Sequence, residues 1–125
     1  MHTVAETYAF RRQAEAAGMS EAEVAELVDT LAETPTAGDP IPGTGGCRKI
    51  RVAGRGKGKR GGYRTITFYS GEDLPVFLLA VFAKGERADL TAGQRNALAT
   101  MTKMIVAEYR KRTARAPRYR REAER

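Results

Sequence analysis

The chain has 125 residues, which is enough for one domain with a single core and too few for two. Its apolar share of 42% is typical of globular proteins and argues against wholesale disorder. The charge is uneven along a chain of net charge +7: residues 1–45 are acidic, residues 46–70 contain eight bases and no acid, and residues 101–125 contain nine bases and three acids. Segregation of this kind favours a defined face that binds a polyanion.

Several function classes are excluded or disfavoured. The N-terminus lacks the basic-then-apolar pattern of a signal peptide, and the longest apolar run, residues 76–83, is too short to span a bilayer. We therefore expect a cytoplasmic protein that does not contact a membrane. One cysteine, Cys47, and one histidine, His2, do not suffice for a zinc site, so we expect no metal. We interpret Cys47 as a small residue near a strand start, and we discount His2 as a catalytic group because it lies at a floppy terminus.

The first half of the chain predicts helices. Residues 2–6 form a short strand candidate, and residues 7–17 carry apolar side chains at helical spacing. A second helix begins at Ser20, where Ser20 and Glu23 have the spacing of a capping box, and it ends before Pro35.

After a connection rich in proline and glycine, the pattern changes to strands. The strand candidates are residues 47–53, 63–69 and 76–83. A final helix starts with a second capping box at Thr91 and runs to about Arg110, with Leu98, Met101, Ile105 and Tyr109 facing inward. The order (β)ααβββα predicts an α+β domain in residues 1–111, with an N-terminal helical hairpin and a C-terminal helix packed on a small antiparallel β-sheet. Residues 112–125 are predicted to be a basic tail, frayed or disordered when alone.

The two strands around residue 50 alternate in a way that separates their side chains. Lys49 and Arg51 fall on one face of the first strand, and Arg48, Ile50 and Val52 on the other. In the second strand, Arg64, Ile66 and Phe68 alternate with Tyr63, Thr65, Thr67 and Tyr69. The loop between the strands, residues 54–62, is made largely of glycine and bases.

This basic hairpin is the strongest functional signal in the sequence. Its bases are Arg48, Lys49, Arg51, Arg55, Lys57, Lys59, Arg60 and Arg64. Eight bases without an acid repel each other on a surface that binds no ligand, and binding phosphates relieves that repulsion. We therefore favour a surface that binds a polyanion over a charged loop that is merely solvated. Residues 56–61 match G-x-G-x-x-G, but a strand follows where a dinucleotide site needs a helix, so we expect no cofactor. Tyr63 and Tyr69 are candidates for stacking on bases, with packing on the sheet as an equal alternative.

The order of elements and three short motifs resemble the RelE/HigB toxins of type II toxin–antitoxin systems. The motifs are Lys49-Ile50-Arg51, Gly62-Tyr63-Arg64 and the strand end Ala80-Val81-Phe82-Ala83-Lys84. The stretches IPGTGGCRKIR and AKGERADLT are most similar to the phage-related, HigB-like branch. The resemblance covers roughly residues 4–110.

The resemblance implies a ribosome-dependent endoribonuclease that cuts mRNA and is held inactive by a cognate antitoxin of helix-turn-helix type. It implies a monomer when alone and a hetero-oligomer with the antitoxin. The catalytic set that it implies is Lys49, Arg51, Arg64 and Lys84. Contacts with mRNA and ribosomal RNA then fall to Arg48, Arg55, Lys57, Lys59, Arg60, Tyr63 and Arg87. Members of the RelE group often carry a tyrosine shortly after the last strand, whereas this chain has Asp89-Leu90-Thr91 there.

Two alternatives stay open at this point. A ParE-like gyrase poison has a similar fold but lacks the cleavage residues, which this chain retains. A non-catalytic nucleic-acid-binding module would use the basic hairpin only as a clamp.

Overall fold

The structure is a computed structural model that describes residues 1–53, 62–82 and 90–124, with side chains described as far as Arg112. Its elements follow the predicted order, with one additional short strand. They are β1 (Val4–Glu6), α1 (Tyr8–Ala17), α2 (Glu21–Glu33), β2 (Asp39–Pro40), β3 (Cys47–Val52), β4 (Tyr63–Phe68), β5 (Val76–Phe82) and α3 (Ala92–Glu124). The predicted α+β class is confirmed.

Local capping explains where the first two helices begin and end. The Thr7 hydroxyl accepts a hydrogen bond from the Phe10 backbone N–H at the start of α1, and Gly18 closes that helix in the left-handed conformation with φ of 83°. The predicted capping box of α2 is present: Ser20 and Glu23 each accept from the other's backbone N–H, at 3.1 and 2.8 Å. The chain therefore turns sharply between α1 and α2, and the two helices form a hairpin.

The five strands form one sheet in the order β1-β5-β4-β3-β2. The antiparallel pairing predicted for the three long strands is confirmed, since β3 pairs with β4 and β4 with β5. The edge strand β1 instead runs parallel to β5, with Val4 opposite Val76. The two-residue strand β2 was not predicted, because Asp39 and Pro40 have low strand propensity and pair with β3 only through the fold.

The two faces of the sheet are covered by different helices. The face toward α1 and α2 carries a core built from both helices and the sheet, with Phe10, Ala14, Met19, Leu27, Leu31, Val52, Val76, Leu78 and Val81 buried. The face toward α3 carries a second core, with Ile41, Cys47, Ile66, Phe68, Phe77, Leu79 and Leu98 buried. The sheet is thus a central layer between helices, which explains the continuously apolar β5.

Buried threonines attach α3 to the sheet. The Thr102 hydroxyl donates to the Thr44 carbonyl at 3.1 Å, and the Thr44 hydroxyl accepts from the Cys47 backbone N–H at 3.2 Å. Near the other end of the contact, the Tyr109 ring meets the Phe77 ring edge-on at 5.9 Å. These contacts set the rotation of α3: Leu98, Ile105 and Tyr109 face the sheet as predicted.

Two predictions about α3 are wrong. Met101 is 41% exposed rather than inward, because the inward stripe passes through Thr102 instead. The helix also continues past Arg110 and through Pro117 to Glu124, since this stretch is rich in the good helix formers Arg, Ala and Glu. None of the helices in the described part of the chain has the length and apolar content of a membrane span.

Candidate functional site

The register of β3 and β4 brings three of the predicted catalytic bases together. Arg51 lies directly opposite Arg64, and Lys49 lies opposite Ile66. Residues opposite each other in an antiparallel pair point to the same face, and residues two apart on a strand do so as well. Lys49, Arg51 and Arg64 therefore share one face of the sheet, the same face that carries Ile66 and α3.

These three bases, which we call the cation cluster, lie where the buried core of that face gives way to solvent. Arg64 is paired with Phe82 at the end of β5, beyond the buried Ile66. Lys49 and Arg64 are half-buried and Arg51 is exposed. Among the residues that the structure describes, no carboxylate forms an ion pair with any of the three. Three like charges without a counter-charge favour an anionic ligand at this end of the sheet.

Arg48 and Tyr63, which the sequence predicted as RNA contacts, lie on the opposite face. Arg48 pairs with Thr67, and both its Nε and the Thr67 hydroxyl are buried without a hydrogen-bond partner among the described residues. The structure therefore does not bring these two predicted residues into the cation cluster.

Tyr63 has a definite role in packing the helical hairpin. Its ring packs against the α1–α2 core, and its hydroxyl donates to the Gly18 carbonyl at 3.1 Å. Burial raises the pKa of the Tyr63 phenol, and the neighbouring carboxylate of Glu23 raises it further. The phenol therefore stays protonated and ties the start of β4 to the turn between α1 and α2.

The remaining predicted site residues lie outside the described residues. They are Arg55, Lys57, Lys59 and Arg60 in the loop between β3 and β4, and Lys84 and Arg87 after β5. Both segments connect to strand ends at the cation cluster, since the loop joins Val52 to Tyr63 and the second segment follows Phe82.

The end of β5 beside the cation cluster is supported by α1. Strand β1 pairs with β5 only as far as Leu78, so the backbone of Val81 has no strand partner on that side. The side-chain oxygen of Gln13 accepts from the Val81 N–H at 2.9 Å and completes the edge. Sequence reasoning missed this role, because a glutamine on an exposed helix face has no pattern that indicates it.

Arg95 is a further base on the α3 face that the sequence analysis did not select. It is half-buried in the first turn of α3, and its guanidinium donates to the Leu90 carbonyl at 3.0 Å. Leu90 packs against the same core as Phe82. The sequence could have indicated Arg95, because it precedes the buried Leu98 by three residues. Residues three apart in a helix lie on the same side, so Arg95 belongs to the side of α3 that faces the sheet.

The single histidine is ordered but remote. The Nε2 atom of His2 lies 2.7 Å from the Leu74 carbonyl oxygen, and the imidazole meets the Tyr69 ring edge-on. The prediction that His2 lies at a floppy terminus is therefore wrong. Leu74 precedes the start of β5, whereas the cation cluster lies at its end, roughly 20 Å away along the strand. No imidazole is therefore available at the cluster.

Comparisons with known proteins identify relatives of the chain. A family model described as the RelE toxin of the RelE/RelB toxin–antitoxin system matches residues 2–119. Among solved structures, the chain is similar to a double mutant of the E. coli toxin RelE in the free state, with 18% identity and a TM-score of 0.49. That alignment covers 81% of this chain and 96% of the other. The predicted resemblance to RelE toxins is confirmed, while assignment to the HigB-like branch stays a prediction.

Proposed function

The chain belongs to the RelE toxin family, and from this premise we propose that it is a ribosome-dependent endoribonuclease that cuts mRNA and inhibits translation. Membership in this family implies a cognate antitoxin as a partner. The observation that carries the proposal is the cation cluster of Lys49, Arg51 and Arg64, which shares one face of the sheet and has no acidic counter-charge among the described residues.

The chemistry needs three contributions. The 2′-oxygen of the ribose loses its proton and attacks the adjacent phosphorus, the bond from phosphorus to the 5′-oxygen breaks, and that leaving oxygen takes up a proton. The products are a 2′,3′-cyclic phosphate and a free 5′-hydroxyl. The negative charge that accumulates on the phosphate between these steps has to be stabilised by fixed positive groups.

The cation cluster suits this task without a histidine. We assign Arg64 and Lys84 to the scissile phosphate, where a planar guanidinium can donate two hydrogen bonds to the oxygens. Lys49 or Arg51 then acts on the 2′-hydroxyl, directly or through its charge. His2 lies at the far end of β5 and cannot serve as general acid or general base at the cluster. The proposal therefore gives the proton transfers to lysine and arginine side chains of this set.

Docking is proposed for the bases around the cluster. Arg87 and the loop bases Arg55, Lys57, Lys59 and Arg60 follow or join strand ends at the cluster, which supports contact with mRNA or ribosomal RNA. Arg48 and Tyr63 stay predictions as RNA contacts, and their position on the α1–α2 face favours packing instead. The separation of a toxin domain in residues 1–111 from a basic tail in residues 112–125 also stays a proposal.

The proposal is tested by adding the protein to a translating extract and mapping mRNA 5′ ends. We expect cuts in phase with codons, which vanish in Arg64→Ala and persist in Arg11→Ala, a matched change of an exposed arginine on α1. Intact mRNA together with trapped gyrase would point to a ParE-like poison. Intact mRNA with salt-sensitive RNA binding would leave only a nucleic-acid clamp. Either result overturns the nuclease.

A further inference from the structure

Strand β5 contains a β-bulge, a place where one of its residues has no partner on β4. Leu78 is paired with Thr67. The next pair joins Ala80 to Ile66, so Leu79 is left over between the two pairs. The packing agrees with this count, because Leu79 and Ala80 both contact the core on the α3 face, whereas side chains of a regular strand alternate. The strand therefore changes its alternation at Leu79.

The bulge decides which side chain of β5 lies beside Arg64. Beyond the bulge, Val81 packs into the core on the α1–α2 face and Phe82 packs against the core on the α3 face. Phe82 is directly opposite Arg64, which belongs to the cation cluster. A shift of one residue moves every following side chain to the other face, so in a strand without the bulge Val81 would take this place.

Gln13 holds the end of β5 in the bulged register. The Leu78 carbonyl points away from β4 and accepts from the backbone N–H and the hydroxyl of Thr7, at 3.2 and 2.8 Å. Backbone groups alternate in direction along a regular strand, so the Val81 N–H, three residues further on, would point toward β4. The extra residue turns this N–H to the open edge, where the Gln13 Oε1 accepts at 2.9 Å. This hydrogen bond therefore forms only when the bulge is present.

We propose that Gln13 is a positioning residue of the cation cluster, because its hydrogen bond locks the bulged register and keeps Phe82 beside Arg64. Gln13 is exposed on α1, across the sheet from the cluster, so it does not contact a phosphate there. It acts through β5, since Phe82 flanks Arg64 on one side as Arg51 does on the other. The chain reaches Lys84 two residues after Phe82, so the same hydrogen bond fixes the point from which that segment starts.

Three variants separate this positioning role from a general loss of stability. Gln13→Leu keeps a side chain of similar size and removes the acceptor. Gln13→Glu keeps an acceptor oxygen and is expected to restore the parent's behaviour. Thr7→Val is the matched control, because it removes a hydrogen bond to the same edge of β5, but on the other side of the bulge. Gln13 is exposed, so its variants should fold, and circular dichroism checks this.

Two measurements on the full chain do not depend on catalysis. Hydrogen exchange of the Val81 amide, followed by NMR, is expected to be at least about tenfold faster in Gln13→Leu than in the parent. Inorganic phosphate is the probe of the cluster, and its binding is followed by the NMR signals of the Arg64 side chain. We expect Gln13→Leu to bind phosphate about threefold more weakly, and Gln13→Glu and Thr7→Val to bind it as the parent does.

The third measurement rests on the proposed ribonuclease. A displaced Arg64 stabilises the transition state less well, so kcat for mRNA cleavage should fall at least about tenfold in Gln13→Leu. KM should stay within about twofold, because docking by the loop bases is unchanged. Gln13→Glu should restore kcat. Thr7→Val should lower the melting temperature but leave kcat near that of the parent.

Four outcomes overturn the positioning role. They are parent-like exchange of the Val81 amide in Gln13→Leu, parent-like phosphate binding by that variant, no restoration by Gln13→Glu, and a parent chain that binds no phosphate at Arg64. An equal loss of phosphate binding in Thr7→Val would also contradict it, because the effect would then be one of general stability. A parent that binds phosphate in a Gln13-dependent way but does not cut mRNA would refute the nuclease and leave the positioning role standing. Equal cleavage by Gln13→Leu and the parent would do the reverse.

Discussion

Arg51 on β3 and Arg64 on β4 are direct cross-strand neighbours on one face of the sheet. Like charges in this position repel, because their Cβ atoms lie only about 5 Å apart in an antiparallel pair. No carboxylate of the described residues pairs with either. The free protein therefore holds an unfavourable contact that a bound phosphate would relieve.

Removing Arg51 from this pair should stabilise the fold, and it tests whether Arg51 takes part in cleavage. We expect Arg51→Thr, which also places a good strand former in β3, to raise the free energy of unfolding by about 0.2–1 kcal/mol. The gain should shrink at high salt, because salt screens the repulsion. If Arg51 acts on the 2′-hydroxyl, cleavage of mRNA should fall by at least about a hundredfold. Urea titrations at two salt concentrations measure the free energy of unfolding, with Arg11→Gln as the control. If Arg51→Thr is less stable than the parent, Arg51 and Arg64 do not destabilise the fold by repulsion.

The loop between β3 and β4 should serve binding rather than chemistry. Changing Arg55, Lys57, Lys59 and Arg60 together to glutamine is expected to weaken RNA binding and to flatten its salt dependence. The slope of log K against log salt should drop by up to about 3, since each contact with a single strand contributes about 0.7. Arg64→Ala should change the slope by no more than about 0.7 while it abolishes cleavage. Binding to labelled RNA at several salt concentrations measures both slopes, and an unchanged slope in the loop variant would exclude the loop from docking.

Tyr63 should matter for stability through its hydroxyl. Tyr63→Phe removes the donor to the Gly18 carbonyl beside the buried Glu23, so we expect a loss of about 0.5–1.5 kcal/mol in unfolding free energy. Tyr8→Phe is the matched control, because Tyr8 is 74% exposed on α1 and should change stability by less than about 0.5 kcal/mol. Thermal unfolding of the three proteins measures the difference. Equal stability of Tyr63→Phe and the parent would contradict a stabilising role for the Tyr63 hydroxyl.

Cys47 should make the fold sensitive to alkaline pH. Cys47 is 1% exposed, and burial raises the pKa of its thiol, an effect that a hydrogen bond with Thr44 opposes in part. The unfolded chain then loses the thiol proton at a lower pH than the folded chain. The contribution of the buried thiol to the free energy of unfolding is fully present below the pKa of the thiol in the unfolded chain, about 8.5. It is lost as the pH rises through the higher pKa of the thiol in the folded chain.

This sign gives a measurable outcome for Cys47. We expect stability to fall as the pH rises above about 9, and to fall less steeply in Cys47→Ala, whose unfolding releases no thiol proton. A thiol reagent should react slowly with the native protein and quickly in denaturant. Chemical denaturation at pH 7 to 10 measures the free energy of unfolding of both proteins. If it depends on pH in the same way in both, burial of the Cys47 thiol does not cause the alkaline sensitivity.

The local features of the fold could be predicted because they depend on neighbours in sequence. Side chains alternate along a strand, so the separation of Lys49 and Arg51 from Arg48 follows from backbone geometry alone. The Ser20–Glu23 capping box is equally local, since its two hydrogen bonds span three residues. For the same reason the sequence indicated that Arg64 and Tyr63 point to opposite faces.

The sequence by itself thus determined the order of the helices and of all strands except β2, the helix start at α2, and which side chains of β3 and β4 share a face. Only the tertiary structure decided that Arg51 faces Arg64, that β1 joins β5 in parallel, and that α3 rotates Thr102 inward and leaves Met101 exposed. The reason is physical: side-chain direction is a property of the local backbone, whereas register and helix rotation are set by contacts between segments far apart in the chain. The hydrogen bond from Thr102 to Thr44 joins residues 58 positions apart, and a pattern within α3 could not indicate it.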